Sequence, residues 1–162
     1  MKPDAILLIY GEGGHKTQMT RLLSKMIDTG RCSSVQWVGL CENNQEIKSL
    51  TNYSLPPVRD KHSRKVAVLK IPGNLWLYLK YLRRIHRAWK VKGVISTGPG
   101  IAIFPSLYFR LLGAKIVHVE TWSRFETRSW TGRVMYRIAD RFYVQNREQK
   151  RHYPHSIFGG LL

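Results

Sequence analysis

GVISTGPGIAIFPSLYFRLLGAKIVHVE, residues 93–120, decides how this chain folds. A β-branched run, GVIST (93–97), is followed by a turn of Gly98, Pro99 and Gly100, a helical stretch over 101–112, and a second apolar run, KIVHVE (115–120). That is one strand–helix–strand unit. Working outward, the same alternation continues in AILLIY (5–10), VQWVGL (35–40), VAVLKI (66–71) and RFYVQ (141–145). Helices are expected over 15–29, 43–50, 74–90 and 132–139, and the stretch Tyr53 to Lys65, with Pro56 and Pro57, reads as a loop. Strands alternating with helices predict a doubly wound α/β domain of Rossmann-like character, with a parallel sheet covered on both faces. In such sheets ligands collect in the loops at the carboxyl ends of the strands. These loops are Gly11 to Lys16, Ser96 to Gly100 and Glu120 to Thr127.

Composition narrows the class. A chain of 162 residues, 43% hydrophobic, buries a real core and is sized for a single domain. Its 27 Lys and Arg against 10 Asp and Glu leave a formal charge of +17, a self-repulsion that points to anionic partners. The basic residues surround no nucleic-acid-binding motif, so membrane and phosphate-bearing substrates are favoured over nucleic acid. Two cysteines, Cys32 and Cys41, make neither a disulfide framework nor a metal motif and read as thiols in a reducing cytoplasm. No apolar run of about 18 residues or more occurs, and the first ten residues lack a signal-peptide pattern. A membrane contact would therefore be peripheral.

Each loop carries two readings. GEGGHKT (11–17) joins three glycines to a helix start, a geometry that approaches and binds a phosphate or pyrophosphate. His15 interrupts the contiguous GK[ST] of a P-loop, and Lys16 stands at the third glycine of GxGxxG, so neither nucleotide motif applies. His15 is a candidate general base or phosphate donor, and otherwise a residue packing on the turn. Lys16 is either a phosphate contact or a solvated charge. Thr97, Gly98, Pro99 and Gly100 form a rigid turn that holds a ligand or simply closes a βα connection. In the third loop Glu120 orients a hydroxyl or takes its proton, or else pairs with Arg124 or Arg128. His118, on the same strand face, reads as a satisfied core histidine. His152 and His155 flank Tyr153–Pro154, which rules out a helical metal pair, and no metal site is expected.

The helix over 74–90 gathers Lys80, Arg83, Arg84, Arg87 and Lys90 into one arc, with Leu, Tyr and Ile elsewhere and Trp76 among the cations. That pattern suits a helix lying in a membrane interface, and equally a crossover helix with its cations in water.

GEGGHKTQMTRLL (11–23), ISTGPGIAIFPSLYFRLLGAKIVHVETWSR (95–124) and WTGRVMYRIADRFYVQNREQKRHYP (130–154) followed by GGLL (159–162) resemble, in order, the asparagine-linked-glycosylation-fourteen family and its bacterial PssD-type relatives. The resemblance implies a single N-terminal-type half of a GT-B glycosyltransferase, similar to that half of MurG. It implies an inverting, heteromeric transferase in polysaccharide or lipid-linked oligosaccharide synthesis. This chain would present a polyprenyl-pyrophosphate-linked acceptor, recruit a catalytic partner resembling the C-terminal GT-B half, and need no cofactor, the UDP-sugar being bound mainly by that partner. Gly11, Gly13, Gly14 and His15 would form the acceptor loop; Lys16 and Arg124 are added as substrate contacts from the residues themselves, as cations able to bind phosphate. Thr97 to Gly100 would line the cleft, and Glu120 would be the strand-end acid. Residues 156–162, with Phe158, Gly159, Gly160, Leu161 and Leu162, would dock the partner, unless they are an ordinary last strand. Trp76, Lys80, Arg83, Arg84 and Arg87 would hold the protein on the cytoplasmic face of the inner membrane. Family members in eukaryotes carry an N-terminal anchor, whereas this sequence opens on its first strand. A non-catalytic membrane adaptor is the alternative function.

Overall fold

The computed structural model describes residues 1–28, 35–42, 45–55, 71–123 and 126–162, with backbone alone for 71–75. Seven strands form one sheet in the order β3-β2-β1-β4-β5-β6-β7, and all of its pairings are parallel. They are β1 (Asp4–Tyr10), β2 (Gln36–Glu42), β3 (Thr51–Leu55), β4 (Lys90–Ser96), β5 (Lys115–Val119), β6 (Arg141–Val144) and β7 (Ile157–Phe158). The helices are α1 (Gly14–Asp28), α2 (Ile71–Ala88), α3 (Ile103–Leu111) and α4 (Trp130–Ile138).

The two-residue period of β1 explains the layering. Ala5, Leu7 and Ile9 join a core with Tyr78, Leu82 and Ile85 of α2, Phe109 of α3 and Met135 of α4. Leu8 and Tyr10 turn the other way, to Met19 and Leu23 of α1. Among the described residues, α2, α3 and α4 thus cover one face and α1 covers the other. The winding reverses between β1 and β4, which opens a crevice at the carboxyl ends of those strands.

Two expectations fail in one place. The helix expected over 43–50 is absent from 45–50, and Tyr53 to Leu55, read as loop, belong to β3. Side chains take the backbone groups that a helix would need. The Tyr10 hydroxyl accepts the Ile47 N–H (3.1 Å), and the Asn52 amide donates to the carbonyls of Ile47 (2.8 Å) and Leu50 (3.0 Å). Such local competition with the backbone is why Asn disfavours helix interiors. The third strand is therefore 51–55. Of the strand expected over 66–71, residues 66–70 lie outside the described residues, as does Cys32, and Ile71 opens α2 instead. A seventh strand, β7, extends the sheet at the far edge.

His118 sits inside this core at 2% exposure, 2.7 Å from the Ser96 hydroxyl through Nδ1 and against the Phe142 ring. Burial, and then the charge of His15, pull its pKa down to about 3. Because an unfolded histidine titrates near 6.5, the unfolded chain binds this proton first, and stability falls as pH drops from that value toward 3. A His118→Gln variant should lose less stability than the parent between pH 7 and pH 4.5 in urea denaturation. An equal loss in both would mean His118 does not set the acid sensitivity.

Candidate functional site

The loops that follow β1 and β4 meet in the crevice and lock together. His15, in the first turn of α1, places Nδ1 2.6 Å from the Thr97 carbonyl. A carbonyl only accepts, so Nδ1 carries the hydrogen and Nε2 is left as the basic nitrogen. Thr97 returns the contact, its hydroxyl donating to the His15 carbonyl at 2.9 Å, while its N–H donates to the Ile9 carbonyl at 3.1 Å. Gly98 has φ +90°, and a Cβ there would stand 3.0 Å from His15 Cε1. Any side chain would be strained and would strike the ring. Gly11 is filled in the same sense by Pro99, whose Cγ lies 2.7 Å from where a Cβ would be. GEGG and STGPG are two halves of one cradle.

Burial lowers the His15 pKa below its ordinary value, opposed by the hydrogen bond to Thr97 and then by the charge of Glu120. The imidazole is therefore neutral near pH 7, as a base must be before it acts. Gly13 and Gly14 are exposed and Lys16 is half-buried. The first turn of α1 closes with Thr17 N–H donating to the Gly13 carbonyl (3.1 Å), so the N–H groups of residues 14–16 have no helical partner. Amides so placed beside Lys16 favour an anion.

Glu120 forms the second wall, just beyond β5 and 3% exposed. Its Oε1 accepts from the Ser129 hydroxyl and the Thr121 N–H, both at 3.1 Å, and its Oε2 accepts from the Tyr153 hydroxyl at 3.1 Å. Ser129 caps α4 by accepting from the Gly132 N–H at 2.7 Å. The carboxylate is thus held on one side by a helix cap and on the other by a buried tyrosine. Burial, and next the Glu120 charge, push that tyrosine's pKa up. Ser129, a serine directly before the first residue of α4, carried a capping signal in the sequence. Tyr153, 33 residues away along the chain, carried none.

The other expected residues divide. Arg124 lies outside the described residues. Arg128 is exposed, with its guanidinium 5.5 Å from the Tyr153 ring centre. In α2, Trp76 is 66% exposed, Lys80, Arg83, Arg84 and Arg87 face solvent, and Tyr78, Leu82 and Ile85 are buried on the sheet. The helix ends at Ala88, and Lys90 begins β4. Residues 157–158 pair with β6, and 159–162 turn back toward α1. Among the described residues no group of three His, Cys, Asp or Glu side chains is placed to hold a metal, and no helix is long and apolar enough to cross a membrane.

The profile of a family described as oligosaccharide biosynthesis protein Alg14 like matches residues 6–162. The human UDP-N-acetylglucosamine transferase subunit ALG14 is 27% identical over 98% of this chain and 82% of its own length. The Saccharomyces cerevisiae protein of the same name is 28% identical over 99% of this chain and 78% of its own. Among solved structures, Acinetobacter baumannii MurG superposes with a TM-score of 0.64 at 18% identity, and a UDP-N-acetylglucosamine 2-epimerase with 0.65 at 14%. These are likenesses of fold. They take in 90% and 94% of this chain but only 43% and 45% of the two structures, so the chain spans less than half of either.

The wall at Gly132 is tight. A Cβ there would land inside the Glu120 carboxylate, 2.5 Å from the Tyr153 hydroxyl and 2.7 Å from Ser129 Oγ. Gly→Ala within a helix ordinarily stabilises, but Gly132→Ala should destabilise by about 1–3 kcal/mol, as overpacking does. Chemical denaturation checks the sign. In an NMR titration His15 should ionise below 6.5, and Glu120→Gln, by removing an opposite charge, should lower that value further. A rise on substitution would mean that the two groups are not coupled as described.

Proposed function

The chain belongs to the Alg14 family, and from that premise we propose that it is the acceptor-side subunit of a two-component, inverting glycosyltransferase. Its acceptor is a sugar on a polyprenyl pyrophosphate. The donor is a UDP-sugar, held by a separate catalytic subunit that this chain recruits to the membrane. The observation that carries the chemistry is the reciprocal His15–Thr97 lock, which fixes the imidazole tautomer with Nε2 as its basic nitrogen beside a glycine loop at a helix start.

In this reading the acceptor pyrophosphate lies on the amides of residues 14–16 with Lys16 beside it. Thr97, Gly98, Pro99 and Gly100 line the cleft, and a hydroxyl of the acceptor sugar meets His15 Nε2. The hydroxyl oxygen bonds to the anomeric carbon as the carbon–oxygen bond to UDP breaks, and the proton passes to Nε2. Glu120, whose charge raises the His15 pKa, favours the imidazolium once it forms. Glu120 needs no proton of its own for this. Its carboxylate already takes three protein donors, which fits a positioning acid better than a second base.

Membrane contact is assigned to the face covered by α2. Trp76 with Lys80, Arg83, Arg84 and Arg87 is an interfacial pattern, and each cation near an anionic leaflet contributes on the order of 1 kcal/mol. Leu107, Leu111 and Trp130, on α3 and α4 of the same layer, are also exposed, at 38%, 88% and 70%. The protein would sit peripherally on the cytoplasmic side. Phe158 and Leu161, 40% and 64% exposed in the segment 156–162, offer the partner apolar side chains.

The adaptor reading is favoured by the same engagement of Glu120: a carboxylate so fully used by protein donors also suits a purely structural part. The test is transfer of radiolabelled sugar from UDP-sugars to a polyprenyl-pyrophosphate-linked acceptor on anionic vesicles. The chain alone, the partner alone and the mixture are compared. Activity is expected in the mixture only, and activity from this chain by itself would overturn the division of labour.

A further inference from the structure

Three successive carbonyls of the loop that leaves β5 are held by side-chain amides from one short stretch. Gln145 Nε2 donates to the Glu120 carbonyl (2.9 Å), Gln149 Nε2 to that of Thr121 (3.0 Å) and Asn146 Nδ2 to that of Trp122 (3.0 Å). Gln145 is 2% exposed, and it is also held at its other end. Its Oε1 accepts the N–H of Leu162 at 3.2 Å. The orientation of this amide is fixed by its partners, since a flip would set donor against donor at Leu162 and acceptor against acceptor at Glu120.

Leu162 is engaged a second time. Arg21 on α1 donates from Nη1 to its carbonyl at 2.9 Å, and the Arg21 guanidinium carbon lies 5.3 Å from the centre of the Trp122 ring. Lys25 reaches the Leu161 carbonyl at 3.4 Å, and Gly160, at φ +73°, makes the turn that brings these residues back. The backbone of 161–162 is therefore bonded inward while the side chain of Leu161 stays 64% exposed.

We infer that residues 160–162 are a structural part of the Glu120 loop, tied to it by Gln145 and Arg21 as positioning residues, so that a partner subunit gripping the exposed Leu161 side chain sets the loop. Two short paths connect them: Leu162 N–H through Gln145 to the Glu120 carbonyl, and the Leu162 carbonyl through Arg21 to the Trp122 ring. Breaking the first leaves a buried amide with one end unpaired, which protein interiors tolerate poorly. The link between the segment and the loop stands on this geometry alone. The consequence for turnover rests on the reading of Glu120 as part of the site and of 156–162 as the partner's seat.

Hydrogen exchange on the full chain separates the two. In Gln145→Met, a near-isosteric change that removes both bonds, the amides of Thr121 to Ser123 should exchange about ten-fold faster or more, with those of β1 and β4 unchanged as a check on folding. Arg21→Ala, and a chain ending at Gly160, should show the same pattern. Unchanged exchange at Thr121–Ser123 in all three would overturn the inference, whatever the activity. In the assembled transferase at saturating partner, Gln145→Met should lower kcat while leaving donor KM in place. Faster exchange with unaltered kcat would overturn the coupling to turnover. If even the parent assembly transfers no sugar, it is the functional reading that fails, and the exchange result still decides the structural link.

Discussion

Everything at the crevice depends on the two hydrogen bonds exchanged by His15 and Thr97. One joins a side chain of α1 to the backbone after β4, and the other joins a side chain after β4 to the backbone of α1. Together they bind the carboxyl ends of the two central strands where the winding reverses. They also fix the imidazole tautomer, which is a chemical and not only a structural result. The close fits at Gly11 and Gly98 follow from the same constraint, because the two loops approach too nearly for side chains there. A βα loop that only had to connect would not need such contact.

Around that lock the molecule is uneven in a useful way. One sheet face carries α2, α3 and α4, with basic residues and exposed tryptophans on the outside. The other carries α1, whose outer side receives Leu161 and Leu162 through Lys25 and Arg21. The proposed membrane face is the first of these, and the crevice lies at the carboxyl edge of the sheet. The formal charge of +17 is in keeping with the anionic membrane and pyrophosphate proposed as ligands.

Much of the fold was legible in the sequence because parallel strands buried on both faces read as continuous apolar runs. AILLIY and KIVHVE each fell within a residue of their strands, and GVIST covers all but the first three residues of β4. The failures over 43–55 share one cause. TNYSL is too polar to stand out as a strand, and the turn before it is made by Tyr10 and Asn52, whose hydrogen bonds to residues 47 and 50 cross up to 37 positions. The candidate site divides in the same way. His15 and the two glycine loops announce themselves by composition, and their meeting follows from the switch point. What surrounds Glu120 did not: Tyr153 and Gln145 reach it from later elements, and its carboxylate takes serine, tyrosine and backbone donors, where the alternative reading had an ion pair with Arg124 or Arg128. Contacts across the sheet leave no local period to read.

The central claim is that this chain contributes a chemical group and does more than carry its partner. Single-turnover transfer by the assembled complex, with His15→Ala against the parent at matched partner occupancy, addresses it most directly. General-base catalysis of this kind is worth roughly 10²–10⁴-fold, so the account predicts a fall of that order with partner affinity unchanged. An unaltered rate would contradict it and leave the chain as an adaptor.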